Sequence, residues 1–314
     1  MIARALAAVV DRRRAAYAAH PDRQRVLARP VISIGNVSMG GTGKTPLVAD
    51  VARALVAAGH RPSILSRGYA RPRPLEGAVV VSDGDRVIAP FEIAGDEPLM
   101  LARQVPGCAV IVAEDRYLAG SFAERRLHCT AHVLDDGFQH LRLARALDIV
   151  IVAKRDLTDR VVPLGRLREG PGAIRSADAI VVDREEVIEA AVKDAGARRV
   201  FVMTRRVASG GQGPAFAFAG IGRPAAFFES LERAGWVLAG RLAFADHRVY
   251  SAADVARIVE AAERAGARTL VTTEKDAVRL ERLPSPALPL VVARLEVQVE
   301  PADEFTAMLR SAVA

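Results

Sequence analysis

Short apolar runs alternate with helical repeats along most of the chain. Runs rich in Val, Ile, Leu and Ala at 31–35, 63–66, 79–81, 109–113, 132–134, 149–153 and 179–182 read as strands. Between them, the patterns at 44–58, 98–104, 116–125 and 185–195 read as helices. Such alternation makes βαβ units and a mainly parallel sheet, whose ligands gather at the carboxyl ends of the strands. A second set follows the Gly/Ser-rich break at 208–214, with strands at 215–219, 236–240 and 269–272 and helices at 224–234 and 252–265. The pattern predicts an α/β protein of two domains, residues 30–207 and a smaller 208–314, preceded by an arm at 1–29.

The arm is amphipathic. Ile2, Leu6, Val9, Val10 and Tyr17 fall near one helical face, and Arg4, Arg12 and Arg14 lie largely off it. Two readings stay open: a helix on an anionic membrane surface, or a packed terminal helix. The net charge of +7 sharpens the picture, because residues 1–29 hold seven arginines and two aspartates, +5 of the total. The basic character is therefore local and is not a nucleic-acid footprint. No uninterrupted apolar run reaches the roughly 18 residues a bilayer span needs, and the N-terminal segment lacks the order of a signal peptide. A composition of 51% hydrophobic and 26% charged residues excludes extended disorder. The two cysteines, Cys108 and Cys129, sit in no CxxC pattern, which fits buried small hydrophobes in a reducing compartment.

Lysine is scarce: Lys44, Lys154, Lys193 and Lys275 stand against 40 arginines. Lys44 lies in the segment from Val31 to Pro46, where a β-branched strand runs into Gly40-Gly41-Thr42-Gly43-Lys44-Thr45 and then a helix. That is the context of a P-loop. Glycines let backbone N–H groups converge on phosphate oxygens, and the helix N-terminus adds its positive end. Lys44 can then reach the β- and γ-phosphates of ATP, and the Thr45 hydroxyl can ligate Mg²⁺. The usual first glycine of the signature is replaced by Ser38. Met39 stands where ParA/MinD-type ATPases carry their signature lysine.

Acidic residues follow at strand ends. Asp135-Asp136-Gly137 comes after the strand 132–134 and suits either a turn or an Mg²⁺ ligand. Gly95-Asp96-Glu97-Pro98 opens a helix, so Asp96 or Glu97 could cap it or serve as base or metal ligand. Asp246-His247 follows a strand-like segment of the second domain, and its histidine is either structural or catalytic. Gly220-Ile221-Gly222 reads as a tight turn packing a helix on a sheet.

Together these segments resemble the tetraacyldisaccharide 4′-kinases, the lipid A pathway kinases of Gram-negative bacteria. The resemblance rests on Gly35-Asn36 with the loop 40–46, Ser66-Arg67-Gly68-Tyr69, Gly95-Asp96-Glu97-Pro98 and Asp135-Asp136-Gly137-Phe138-Gln139-His140. It continues through Leu167-Arg168-Glu169, Phe218-Ala219-Gly220-Ile221-Gly222, Asp246-His247 and Thr273-Glu274-Lys275-Asp276. It implies a P-loop kinase of two α/β domains that uses ATP and Mg²⁺. The acceptor would be the 4′-hydroxyl of an acylated glucosamine disaccharide 1-phosphate, and the enzyme would sit on the cytoplasmic face of the inner membrane, with no obligate protein partner.

The resemblance also implies roles. Asp96 would act as base with His247. Glu97, Asp135, Asp136 and Glu169 would join Thr45 around Mg²⁺. Asn36, Arg67, Tyr69, Gln139, His140 and Arg168 would bind substrate. Two positions depart from the family pattern: Arg248 stands where a second histidine is common, and the REP motif reads Arg168-Glu169-Gly170. The competing class is a P-loop switch ATPase or GTPase, ParA/MinD-like or of the metallochaperone type, acting on a protein partner. Met39 counts against it, and Thr273-Glu274-Lys275-Asp276 matches the guanine motif NKxD only loosely.

Overall fold

The structure, a computed structural model, describes the backbone of residues 2–40, 43–68, 71–194, 196–208, 213–246 and 248–314, and their side chains except those of 2–7 and 194. The chain forms two compact units, Met1–Thr204 with Val297–Ala314, and Arg205–Glu296.

In the first unit, α1 (Ile2–Ala19) precedes β1 (Val31–Asn36), α2 (Lys44–Ala57), β2 (Pro62–Ser66), β3 (Val79–Asp83), α3 (Phe91–Ala94), α4 (Asp96–Gln104) and β4 (Ala109–Val112). Then come α5 (Arg116–Leu127), β5 (Ala131–Asp135), β6 (Leu147–Val152), β7 (Ala179–Asp183), α6 (Glu189–Asp194) and β8 (Val200–Val207). The second unit carries β9 (Ala215–Ala219), α7 (Pro224–Arg233), β10 (Leu238–Ala243), α8 (Ala252–Arg264), β11 (Thr269–Thr273), α9 (Glu274–Leu280) and β12 (Leu290–Ala293). The chain ends with β13 (Leu295–Glu300) and α10 (Ala302–Val313).

The larger sheet has the order β13-β8-β7-β6-β1-β5-β2-β4-β3. From β8 to β4 its neighbours are parallel, and β3 runs antiparallel to β4. Every residue of β1, β2, β4, β5, β6 and β7 is buried. Burial on both faces is why these strands read as unbroken apolar runs rather than alternating ones. The smaller sheet, β10-β9-β11-β12, is parallel throughout.

Two expectations need correction. The second domain was expected to run to residue 314, but residues 297–314 belong to the first unit. The reason is α10, which buries Phe305, Met308, Leu309 and Val313 and sets Phe305 edge-on to Phe201 of β8, ring centroids 5.1 Å apart. The helix expected at 185–195 is broken. A 3-10 turn at Arg184–Glu186 ends where Val187 takes a left-handed φ of 46°, and α6 starts only at Glu189.

The arm is fastened to the first unit. Arg14 donates through Nε and Nη2 to both carboxylate oxygens of Glu169, at 2.6 and 2.8 Å. It also donates to the Phe138 carbonyl at 3.1 Å and to Ser176 Oγ at 3.0 Å, and its guanidinium lies 4.0 Å from the Phe138 ring centroid. Farther on, Gln24 bonds the Leu141 carbonyl, and Arg25 pairs with Asp115 at 2.7 Å while stacking on Tyr117. Among the described residues, no helix is long and apolar enough to cross a membrane. Cys108 and Cys129 are free and buried, and burial pushes both thiols up.

One polar chain runs through the core beside β5. Ser63 Oγ meets His132 Nδ1 at 2.7 Å, and His132 Nε2 meets Glu124 Oε1 at 3.2 Å. Burial depresses the His132 pKa below its ordinary 6.5, with Arg29 pushing the same way and Glu124 pulling against them. The unfolded chain therefore takes up a proton first as pH falls through 6.5, and the fold loses stability in that range. Melting temperatures of wild type and His132→Gln should diverge between pH 7.5 and 5, with wild type losing more. Parallel curves would mean that His132 is already charged in the folded protein.

Candidate functional site

The carboxyl ends of β1 and β5 build the candidate site. The two strands pair in parallel, with Ile34 opposite Asp135, so the segments leaving them are neighbours. Two close approaches shape the turn after β5. A β-carbon on Gly35 would lie 2.6 Å from the Phe138 backbone nitrogen, and one on Gly137 would lie 2.5 Å from Ser33 Oγ. Asp136 adopts a left-handed φ of 52°, and Gly137 N donates to the Ile34 carbonyl at 3.0 Å. The turn thus folds over the end of β1 and delivers Asp136 to the lysine at the start of α2.

Lys44 Nζ donates to Asn36 Oδ1 at 2.9 Å and pairs with Asp136 Oδ1 at 3.2 Å. Arg168 holds the other side, donating to Asp136 Oδ2 at 2.7 Å and to Gln139 Oε1 at 3.1 Å. Gln139 Nε2 closes the circle on the Asn36 carbonyl at 2.9 Å. Three residues expected to bind substrate, Asn36, Gln139 and Arg168, thus form the frame around Lys44 and Asp136. Burial works to raise the Asp136 pKa, but Lys44 and Arg168 outweigh it and hold the carboxyl below the ordinary range.

The phosphate loop joins this frame. Gly40 and Gly43 have φ of 100° and 81°, as a loop curling its N–H groups inward requires. Gly41 and Thr42 lie outside the described residues. Ser38 keeps the phosphate loop's start without a positive φ, so no glycine is demanded there. It instead forms an isolated bridge with Leu167. Met39 N donates to the Arg166 carbonyl and Arg168 N to the Val37 carbonyl, both at 2.7 Å, so residues 166–168 strap the loop from outside.

Asp135 points to the same centre from a more crowded place. Its carboxyl accepts from Ser66 Oγ at 2.9 Å and is buried. Burial, with Glu97 and Asp136 nearby, pushes its pKa up to about 6 despite Lys44. A buried anion crowded by two others is an environment that a divalent cation relieves. Among the described residues no three His, Cys, Asp or Glu side chains form a ready-made metal cluster. Mg²⁺ does not need one, since it keeps waters and phosphate oxygens and takes one or two carboxylates. Thr45, Glu97, Asp135 and Asp136 fit that demand. Glu169, expected beside them, spends both oxygens on Arg14.

Asp96 is buried at the first turn of α4 and accepts from Glu97 N at 2.8 Å. The N-cap position falls to Gly95, whose φ of 82° suits glycine, so Asp96 is not the capping residue. Arg67 is exposed, and His140 is half-buried with its pKa pushed down to about 4 by burial, Arg116 and Arg145. Tyr69 and His247 lie outside the described residues.

Sequence reading missed Arg116. Its guanidinium is buried, and its pKa is lowered by burial and by Arg67, while Asp135 and Asp136 act in the opposite direction. The available signal was its place just past the carboxyl end of β4. Arg14 and Arg166 gave no signal beyond basic composition.

In the second unit, Asp276 decides against the guanine reading. It is fully buried, and its oxygens accept from Gly220 N, Thr273 Oγ1, Tyr250 Oη and Arg279 Nη1. An aspartate so enclosed has no face to offer a base.

The comparisons agree with this geometry. The tetraacyldisaccharide 4′-kinase of Geobacter metallireducens is 43% identical over 290 residues, covering 87% of this chain and 85% of that one. The tetraacyldisaccharide 4′-kinase of Geobacter sulfurreducens is 40% identical over 306 residues, covering 92% and 86%. A crystal structure of LpxK from Aquifex aeolicus in complex with ATP superposes with a TM-score of 0.82 at 28% identity, covering 100% of this chain and 98% of that one. A family model described as tetraacyldisaccharide-1-P 4′-kinase matches residues 1–314, and the chain belongs to that family.

Proposed function

We propose that this protein transfers the γ-phosphoryl group of ATP to the 4′-hydroxyl of a tetraacylated glucosamine disaccharide 1-phosphate, a step of lipid A biosynthesis. The observation that carries the reading is Lys44, held between Asn36 and Asp136 at a strand-to-helix junction. The backbone of Gly40, Gly41, Thr42 and Gly43 cradles the phosphates, and Lys44 supplies a point charge to the β- and γ-oxygens. Thr45, Glu97, Asp135 and Asp136 are the groups to hold Mg²⁺. When bound, the ion neutralises charge on the bridging and transferring oxygens. The Glu169 carboxylate serves the arm through Arg14 rather than the metal.

In the transfer, the 4′-oxygen forms a bond to the γ-phosphorus as the bond from that phosphorus to the β–γ bridging oxygen breaks, and ADP leaves. A sugar hydroxyl is a poor nucleophile, so alignment and proton removal fall to the protein. Asp96 and His247 act as one unit that takes the proton. Arg67, Tyr69 and His140 are left to meet the disaccharide. The acceptor carries four acyl chains and stays in a bilayer, so the site works at an anionic membrane surface, which we place on the cytoplasmic face. The exposed Arg12 and Arg13 of α1 face that surface.

Lys44→Ala should lower kcat by about 100-fold or more with the fold intact, because a preorganised charge is lost from the transition state. Near-normal turnover of radiolabelled ATP in a protein of unchanged melting temperature would remove the phosphate-loop assignment.

Asp96→Asn and His247→Ala should each cut kcat about 100-fold or more while sparing ATP affinity. The double variant should be little worse than the worse single, since groups acting as one are non-additive. Multiplicative losses would mean two independent roles.

For the membrane, Arg12→Gln with Arg13→Gln should weaken binding to phosphatidylglycerol vesicles roughly 30-fold at low salt, about 1 kcal/mol per arginine. Equal partitioning of variant and wild type in flotation would show that the arm is not the electrostatic anchor.

A further inference from the structure

Three stretches of the second unit that the phosphate loop leaves unexplained meet at one buried carboxylate. Asp276 Oδ2 accepts from Gly220 N at 3.0 Å and from Thr273 Oγ1 at 2.7 Å. Its Oδ1 accepts from Tyr250 Oη and from Arg279 Nη1, both at 3.1 Å. Arg279, 1% exposed, also donates to the Gly220 carbonyl at 2.7 Å. The Gly220 peptide is thereby clamped on both its N–H and its C=O.

The clamp bears directly on the turn that carries His247. A β-carbon on Gly220 would lie 3.0 Å from Tyr250 Oη, 3.1 Å from Arg248 Cβ and 3.2 Å from the Ala245 carbonyl oxygen. One on Gly222 would lie 3.2 Å from Asp246 Oδ2. The turn's two ends are also pinned. Phe244 N donates to the Ala219 carbonyl at 2.8 Å, and Tyr250 packs edge-on against Phe244 and Phe218 at 5.2 and 6.1 Å. Arg248, at the position where the family often has histidine, donates to both oxygens of Asp254 at 2.8 and 3.0 Å, at the start of α8.

Stability alone does not account for such a cluster, because a buried ion pair is generally no more stabilising than apolar side chains of the same volume. Its worth lies in fixing one conformation. We infer that Tyr250, Asp276 and Arg279 are positioning residues that hold the turn 245–250, and with it the proton-accepting histidine, in working geometry. This rests on the reading that His247 takes part in proton removal. The motif Thr273-Glu274-Lys275-Asp276 then serves through Asp276 as the floor of that turn, with no direct part in nucleotide binding.

Tyr250→Phe is the decisive variant, since it removes one hydroxyl and keeps the ring packing. Steady-state kinetics well below the melting temperature should show kcat down about 10-fold or more, because small misplacements of a reacting group are costly. The KM for ATP should be unchanged and the pH profile of kcat displaced. Ile258→Val, a buried α8 change outside the cluster, should lower the melting temperature slightly and leave kcat and the pH profile unmoved. Asp276→Asn should reproduce the Tyr250→Phe kinetics or fail to fold, and only the Tyr250 variant is used to judge. Wild-type kcat and pH profile in Tyr250→Phe, with His247→Ala inactive, would overturn the positioning role alone. Wild-type turnover in His247→Ala would overturn the reading beneath it as well.

Discussion

A lysine ammonium in a half-buried loop needs its charge answered before any phosphate arrives. In this protein the answer is Asp136, 3.2 Å from Lys44 Nζ, with Asn36 completing the hold. The pair exists only because β1 and β5 are adjacent and parallel, with Ile34 in register with Asp135. A shift of one residue in that register would move Asp136 out of reach and turn β5's side chains to the opposite faces of the sheet. The left-handed Asp136, the contact of Gly35 with Phe138 and the strap at 166–168 all serve this one juxtaposition. Asp135, by contrast, is kept from easy ionisation by burial and its acidic neighbours. One carboxylate is thus matched to the protein's own cation, and the other is left in need of one.

The phosphate loop was legible because its chemistry is local: glycines, one lysine and a hydroxyl in sequence between a strand and a helix. The central strands were legible because burial on both faces leaves continuous apolar runs. What sequence could not reveal depends on distant pairing. Strands β8 and β13 mix apolar and charged residues because they are only partly buried, and nothing in 302–313 says that α10 returns to the first unit. Asn36, Gln139 and Arg168 carry polar groups that suit a ligand, and only coordinates show those groups turned on each other. Glu169 looked like one more acid near a metal, until Arg14, 155 residues away, claimed both its oxygens.

The second unit shows another limit of the same kind. Gly220 and Gly222 fit a turn, Asp246 and His247 fit a strand end, and residues 273–276 mimic a nucleotide motif. Each stretch is locally ambiguous. The ambiguity ends at Asp276, whose four partners come from Gly220, Tyr250, Thr273 and Arg279. Arg248 belongs to the same logic. It departs from the family's common histidine, yet it is an integral part of the turn because Asp254 holds its guanidinium.

The arm's charge is smaller, as seen from outside, than its composition suggests. Arg14 is turned inward to Glu169, and Arg25 is matched by Asp115. Separating Arg14 from its partner would strand a carboxylate that is only 2% exposed, at a cost of about 3–5 kcal/mol. That is more than the roughly 1 kcal/mol one arginine gains near an anionic leaflet. The first unit and α1 therefore move as one rigid piece and not as a domain on a tether. Any surface that receives the helix receives the phosphate loop at a set height and tilt, so the arm acts as a gauge that sets how far above that surface the transferred phosphoryl group is presented.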